Sequence, residues 1–268
     1  LLIRHSVKAD LEVIAKGRPP RSAAVDTGKH GRSQMVYANI FGLMYAVFFS
    51  FLAIDLMMSL NPHWYSTLFG AYYFVASFFT GMTFVMIIVC IAVSKSGLKK
   101  FIFKKQMHNL GKLILGFCLM TADFFYVQFL VMWYGNIPEE TRYIIERTYQ
   151  EPWNRFSWIV LFVAFVIPFI FLLIRRVKMI PFLMIGISLV ILTGMWMEKV
   201  VVIVPSIWPL PDIPIGWMEI GVTAGFAGIM GLCVLLFLRR YPALPIGDPM
   251  FYKTLESAFP MSTEENVR

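Results

Sequence analysis

Six uninterrupted apolar runs, each the length of a membrane crossing, constrain this chain more than any other feature. They are Met35–Met58, Thr67–Ser94, Met107–Tyr134, Asn154–Ile174, Met179–Val204 and Ile215–Leu238. About 20 mostly apolar residues, each adding ~1.5 Å of helical rise, cross the hydrocarbon. The runs lack the period-two alternation of a transmembrane barrel. Lipid also offers backbone N–H and C=O groups no partners, so each run is predicted to be a helix. Composition closes off a soluble fold, because 58% of the 268 residues are hydrophobic and only 15% are charged. A globule of this size has nowhere to hide so much apolar surface. Disorder, collagen and disulfide scaffolds are excluded by the same numbers. The predicted class is an all-α integral membrane protein.

The net charge of +8 raises the question of nucleic acid, and the placement of the cations answers it. Of 24 Lys and Arg, 20 fall in four segments: residues 1–34, the second connection (Lys95, Lys99, Lys100, Lys104, Lys105, Lys112), the fourth (Arg175, Arg176, Lys178) and the tail (Arg239, Arg240, Lys253, Arg268). The alternate connections 59–66, 135–153 and 204–214 hold only Arg142 and Arg147. Basic residues mark the cytoplasmic side, so both ends are expected there and nucleic-acid binding loses its support. All seven tryptophans (Trp64, Trp133, Trp153, Trp158, Trp196, Trp208, Trp217) then map to the outer interface. That reads either as an aromatic belt or as a protein-docking face.

The chain opens on Leu1-Leu2-Ile3 and turns at once into Arg4-His5-Ser6, with Gly17, Pro19 and Pro20 following. The expected organisation is a stub of an upstream helix plus a cytoplasmic linker over 1–34, a six-helix bundle over 35–240, and a cytoplasmic tail over 241–268.

The residues set limits on chemistry. Of the histidines, His63 belongs to the outer side, His108 to the inner end of the third span, and His5 and His30 to the linker. A span of about 30 Å separates the first two, so they make no pair of axial haem ligands. Cys90, Cys118 and Cys233 sit singly in apolar runs, without the spacing of a cluster or zinc site. No metal or redox centre is expected in this chain alone.

Ionisable groups inside spans are costly and mark function by default. Asp123 is predicted about 24 Å deep from the cytoplasmic entry by helical rise. Asn109, Lys112, Gly116 and Asp123 share one face by their spacing. That row reads as a proton or water route ending on Asp123, or as a neutral carboxylic acid hydrogen-bonded within the bundle. Gly70, Tyr73, Ser77 and Thr80 form a second stripe, expected to meet the Asp123 row. For a cofactor no residue set stands out; Asp55 and His63, near the outer end of the first span, are the candidates by position, and Asp55 either caps local structure around Ser59-Leu60-Asn61-Pro62 or faces the space shared with His63. Adjacent side chains on a helix diverge by about 100°, so Glu198-Lys199 reads first as an interfacial anchor; the alternative has Glu198 meeting Lys199 or a partner chain. Glu219 suits the start of the last helix, and the Gly221–Gly231 small residues read as a packing stripe. Pro168 is expected to kink the fourth span, while Pro181 is tolerated in the first turn of the fifth. Pro138-Glu139-Glu140-Thr141 predicts a turn into a short, acidic, exposed helix.

Longer strings carry a resemblance. Asp55-Leu56-Met57-Met58-Ser59-Leu60-Asn61-Pro62-His63-Trp64-Tyr65-Ser66-Thr67-Leu68-Phe69-Gly70, His108-Asn109-Leu110-Gly111-Lys112 and Trp133-Tyr134-Gly135-Asn136-Ile137-Pro138-Glu139-Glu140-Thr141 resemble NrfD-type (polysulfide-reductase-type) membrane subunits of alternative complex III. The likeness runs over residues 35–250 and is nearest to the second, smaller quinone-binding-type subunit (the ActF type), as do Asp248-Pro249 and Glu256-Ser257 in the tail. It implies the C-terminal part of a two-bundle NrfD-like fold in the bacterial cytoplasmic (inner) membrane. It also implies a quinol:cytochrome c oxidoreductase-type complex with a second NrfD-type subunit, a periplasmic iron–sulfur protein and multihaem cytochromes c as partners. Haem c and iron–sulfur clusters would sit in those partners. Quinone or menaquinone would be the membrane substrate, and polar half-channels would move protons. The alternatives are a purely structural anchor for the redox subunits, the NrfD-type subunit of a related polysulfide or molybdopterin reductase, or, ranked last, a transporter.

Overall fold

The computed structural model describes residues 27–95, 104–208 and 212–241; the expected upstream stub and linker over residues 1–26 and the expected tail beyond Tyr241 lie outside them. Among the described residues the chain is helical, without a strand. The helices are α1 (Thr27–Leu56), α2 (Phe69–Lys95), α3 (Lys104–Gly135), α4 (Pro138–Thr148), α5 (Trp153–Leu161), α6 (Ile167–Leu173), α7 (Pro181–Ile207) and α8 (Trp217–Arg240). A π turn, Phe162–Val166, joins α5 to α6, and short 3-10 turns cover Met58–Leu60 and Val177–Met179. Six helices are long and apolar enough to cross a membrane: α1, α2, α3, the α5–π–α6 rod, α7 and α8. Each falls on one predicted run. The chain is a multi-pass membrane protein, and α1 begins at Thr27, inside the stretch expected to be linker.

The chain divides into two compact units, Leu1–Leu43 with Pro214–Arg268, and Met44–Ile213. In the first, α8 begins with the Glu219 carboxylate accepting the Gly216 N–H at 2.7 Å, which satisfies one orphan donor of the first turn. Its last turn carries Arg239 and Arg240, the sign that suits the negative end of the helix dipole. On α8 a Cβ at Gly221, Gly225, Gly228 or Gly231 would meet nothing within 4 Å among the described residues.

In the second unit α2 lies against α3 and α7, and the α5–π–α6 rod packs on α7. Two clusters form the core. One, with Phe79, Met86, Cys90, Ile114, Cys118, Leu172, Met184 and Ile191, runs toward the lysine-bearing ends of α2 and α3. The other gathers Ala53, Trp64, Phe69, Tyr72, Met132, Tyr143 and Ile144 at the tryptophan-bearing ends. Large apolar side chains such as Leu119, Phe125, Phe162 and Leu189 stay exposed, as they can where lipid tails replace water.

Pro168 disturbs its span in a specific way. Proline has no N–H, and its ring crowds the carbonyl four residues back. The widened π turn lies immediately before it and absorbs that mismatch. Gly194 of α7 sits on this turn so closely that a methyl group there would lie 2.6 Å from Ala164 Cα. Pro181 occupies the first turn of α7, as expected. At the end of α3, Asn136 takes φ 45°, a left-handed conformation that Asn tolerates, and its N–H donates to Met132 O. That reversal delivers the chain to Pro138, which opens α4.

Candidate functional site

The site is built at the tryptophan end of the second unit. Helix α4 forms as predicted, acidic in its first turn with Glu139 and Glu140, but one face is buried rather than exposed. Tyr143 of that face stacks on Trp64 with ring centroids 3.9 Å apart and planes 5° from parallel. The Arg147 guanidinium lies over the same ring, 3.5 Å from its centroid. Two groups so close to one ring must take opposite faces, so Tyr143 is clamped between an indole and a cation.

Arg147 is 5% exposed, and its donors go to three backbone carbonyls and one hydroxyl. Nε donates to Val201 O at 3.1 Å, Nη1 to Tyr143 O at 3.0 Å, and Nη2 to Val202 O at 2.9 Å and Ser206 Oγ at 2.7 Å. Pro205 explains why Val201 accepts. It sits inside α7 and has no N–H to return to the carbonyl four residues earlier. Arg147 supplies the missing donor. Burial lowers the Arg147 pKa from its ordinary value. Burial also pushes the Tyr143 phenol up to about 12, with the Arg147 charge opposing that rise and Glu198 adding to it.

Beneath Tyr143 lies a buried ionisable cluster. Glu198 of α7 is 8% exposed, and its Oε1 accepts a short hydrogen bond from Tyr72 Oη of α2. Its Oε2 lies 2.8 Å from Lys199 Nζ. The Lys199 ammonium sits 4.7 Å from the Tyr73 ring centroid and 5.5 Å from that of Tyr72. Of the two readings, the favoured interfacial anchor gives way to the alternative in which Glu198 meets Lys199. The backbone directions do differ, but the four-carbon lysine stem curls back, and the apolar surroundings favour charge pairing. By helical rise Glu198 lies about 14 Å from the end of α7.

Above the clamp is an open cleft of about 560 Å³. Its wall includes Asn61, His63, Glu139, Glu146, Glu151 and Tyr143. Arg142 pairs with Glu146 at 2.8 Å and Arg155 with Glu151 at 3.1 Å, each one helical turn apart. The cleft thus gathers an imidazole and carboxylates beside Tyr143. Beside it, Trp133, Asn136, Ile144 and Tyr149 border a second, more apolar hollow of about 670 Å³.

The sequence-derived residues distribute unevenly. His63 lines the cleft. Asp55 has an exposed side chain, and its backbone carbonyl accepts the Ser59 hydroxyl, so it caps the α1 end rather than facing the space beside His63. Asn109, Lys112, Gly116 and Asp123 share one face of α3, as the spacing required, and that face is exposed. The Gly70–Tyr73 stripe does not meet it as expected. A Cβ at Gly70 would touch Ser50 of α1, and Tyr73 stacks on Phe49. Tyr72, Tyr143 and Arg147 were missed. The available signals were a basic residue on the cation-poor side and a proline near the end of an apolar run.

Cys90 and Cys118 lie separately in the core and Cys233 is exposed. Among the described residues no group of three or more His, Cys, Asp and Glu side chains gathers as metal ligands would. In comparison with known proteins, the chain matches no family model and no curated sequence.

Proposed function

We propose that this chain is a membrane subunit of a bacterial respiratory quinol-oxidising complex of the alternative complex III kind, with proton transfer as its own chemical task. The observation that carries the reading is Glu198, a carboxylate buried in a span between a tyrosine hydroxyl and a lysine ammonium. Intramembrane acids are expensive and persist where protons or ions move. The route proposed runs from Glu198 and Tyr72, past Tyr143, to His63 and the carboxylates of the cleft. The exposed row ending on Asp123, with Lys112 toward the lysine end, is a second proton path in this proposal, completed by a neighbouring chain such as a second NrfD-type subunit.

The cleft volume lies within the range of small-molecule sites, roughly 300–1,000 Å³, and suits a quinone head group. Oxidation of a quinol there yields quinone, two electrons and two protons. The protons pass to His63 and Glu146, and the electrons to iron–sulfur and multihaem cytochrome c partners in the proposed complex. A second reading, a structural anchor for those partners, draws on the acidic cleft wall as a docking surface.

One experiment separates the two. Glu198→Gln in the assembled complex is expected to lower proton-coupled quinol:cytochrome c turnover by about tenfold or more, the lower part of the range for lost acid–base groups. Partner retention on purification should be unchanged. Full turnover with an unaltered proton-to-electron ratio would remove the proton role, and loss of partners alone would favour the anchor.

A further inference from the structure

The lysine end of the second unit holds a cluster of which the proton reading uses Lys112 alone. In α3, His108, Gly111 and Lys112 fall within a little over one turn. Facing them is the turn after α6, where Arg175 and Arg176 are exposed and Lys178 is only 4% exposed. The Lys178 stem crosses α3 at Gly111, so closely that a methyl group there would lie 2.8 Å from its Cγ. Two backbone bonds, Met179 N–H to Arg176 O and Ile180 N–H to Val177 O, both 3.2 Å, hold the turn. His108 Nδ1 is buried without a hydrogen-bond partner.

Nothing anionic among the described residues answers these charges. The nearest acid along α3 is Asp123, about 16 Å from Lys112 by helical rise. The ion pairs of the described residues are Arg142–Glu146, Arg155–Glu151 and Glu198–Lys199. Burial lowers the Lys178 pKa, and the Lys112 charge adds to the fall, as expected of a cation held beside another without an anion. The approach to the site is apolar, since Ile170, Phe171, Leu173 and Ile174 are exposed on the helix leading to Arg175. A soluble anion gains nothing from such a flank, whereas acyl chains lie along it while a phosphate sits at the cations.

We propose that Lys112, Arg175 and Lys178, with His108 beside them, form a binding site for the phosphate head group of an anionic phospholipid at the end of the α3–α6 face. Gly111 is the element that makes it a built site, because its missing side chain lets the Lys178 stem lie flat. The site shares Lys112 with the second proton path, but it does not rest on the quinol reading, and its test changes only Arg175, Lys178 and Gly111.

The test is native mass spectrometry on the full chain, delipidated in detergent and titrated with phosphatidylglycerol, phosphatidylcholine or inorganic phosphate. Phosphatidylglycerol should bind about tenfold more tightly than phosphatidylcholine, with inorganic phosphate not competing. The preference should collapse in Arg175→Gln with Lys178→Met; methionine keeps an apolar stem against Gly111, and Arg175 is exposed, so neither change threatens the fold. Gly111→Leu, which displaces the stem but keeps every charge, should weaken it too. Equal binding of the two lipids, retention of the preference in the double variant, or competition by inorganic phosphate would each overturn the proposal.

Discussion

A tyrosine clamped between an indole and a guanidinium has little room to ionise. The Tyr143 phenol is pushed up to about 12 because its anion would be buried, and the Arg147 charge on its ring only partly offsets that. A phenol raised above its usual pKa near 10 contributes stability fully present below pH 10. That contribution is lost as pH rises through about 12. Two units correspond to roughly 3 kcal/mol. Thermal melts in detergent should therefore fall between pH 10 and pH 12 in the wild type by more than in Tyr143→Phe. Parallel curves would show that Tyr143 ionises freely. Arg147 was legible only as an exception to the charge pattern. Its role needs Val201, Val202 and Ser206, 54 to 59 residues away in sequence, and no local spacing announces them.

At the scale of elements, the prolines show how far local rules reach. That Pro168 disturbs its span and Pro181 does not follows from the missing N–H and from position. That the disturbance is a π turn, and that Gly194 nests on it, depends on what α7 presents. Gly194→Ala is expected to cost about 1–3 kcal/mol through overpacking against rigid backbone. It should be read as a lower melting temperature of the detergent-solubilised protein; an unchanged melt would mean the helices separate without cost. Gly111→Ala is the contrasting case, since only a flexible lysine stem must move. Arg147→Met tests the bond between α4 and α7. It removes donors from three backbone carbonyls and a hydroxyl, and a loss of about 3 kcal/mol is expected. Limited proteolysis within Pro138–Thr148 should then accelerate, and protection equal to wild type would show that the aromatic stack alone holds α4.

Taken whole, the molecule separates two kinds of charge. Cations without acids collect at the lysine end of the second unit, while the described acids of α4 lie at the tryptophan end. The positive-inside rule assigns the first to the cytoplasm. With cysteines at the exposed positions Glu139 and Arg176, a membrane-impermeant maleimide applied to intact cells should label the first and spare the second. The reverse pattern would invert the topology. The number of crossings and their limits were readable without coordinates, because lipid demands continuous apolar helix and every run declares its own length. The shared face of Lys112 and Asp123 was readable too, since helical period depends on nothing but spacing. Whether that face looks inward or outward was not, because it depends on which neighbours α3 acquires. The same holds for Glu198. Its sequence neighbours made it an anchor at the membrane surface, and only the approach of Tyr72 from α2 and the folding back of Lys199 make it a buried, paired acid. Periodicity and hydropathy are properties of one segment, whereas burial and pairing belong to two or more, and only the tertiary structure brings those together.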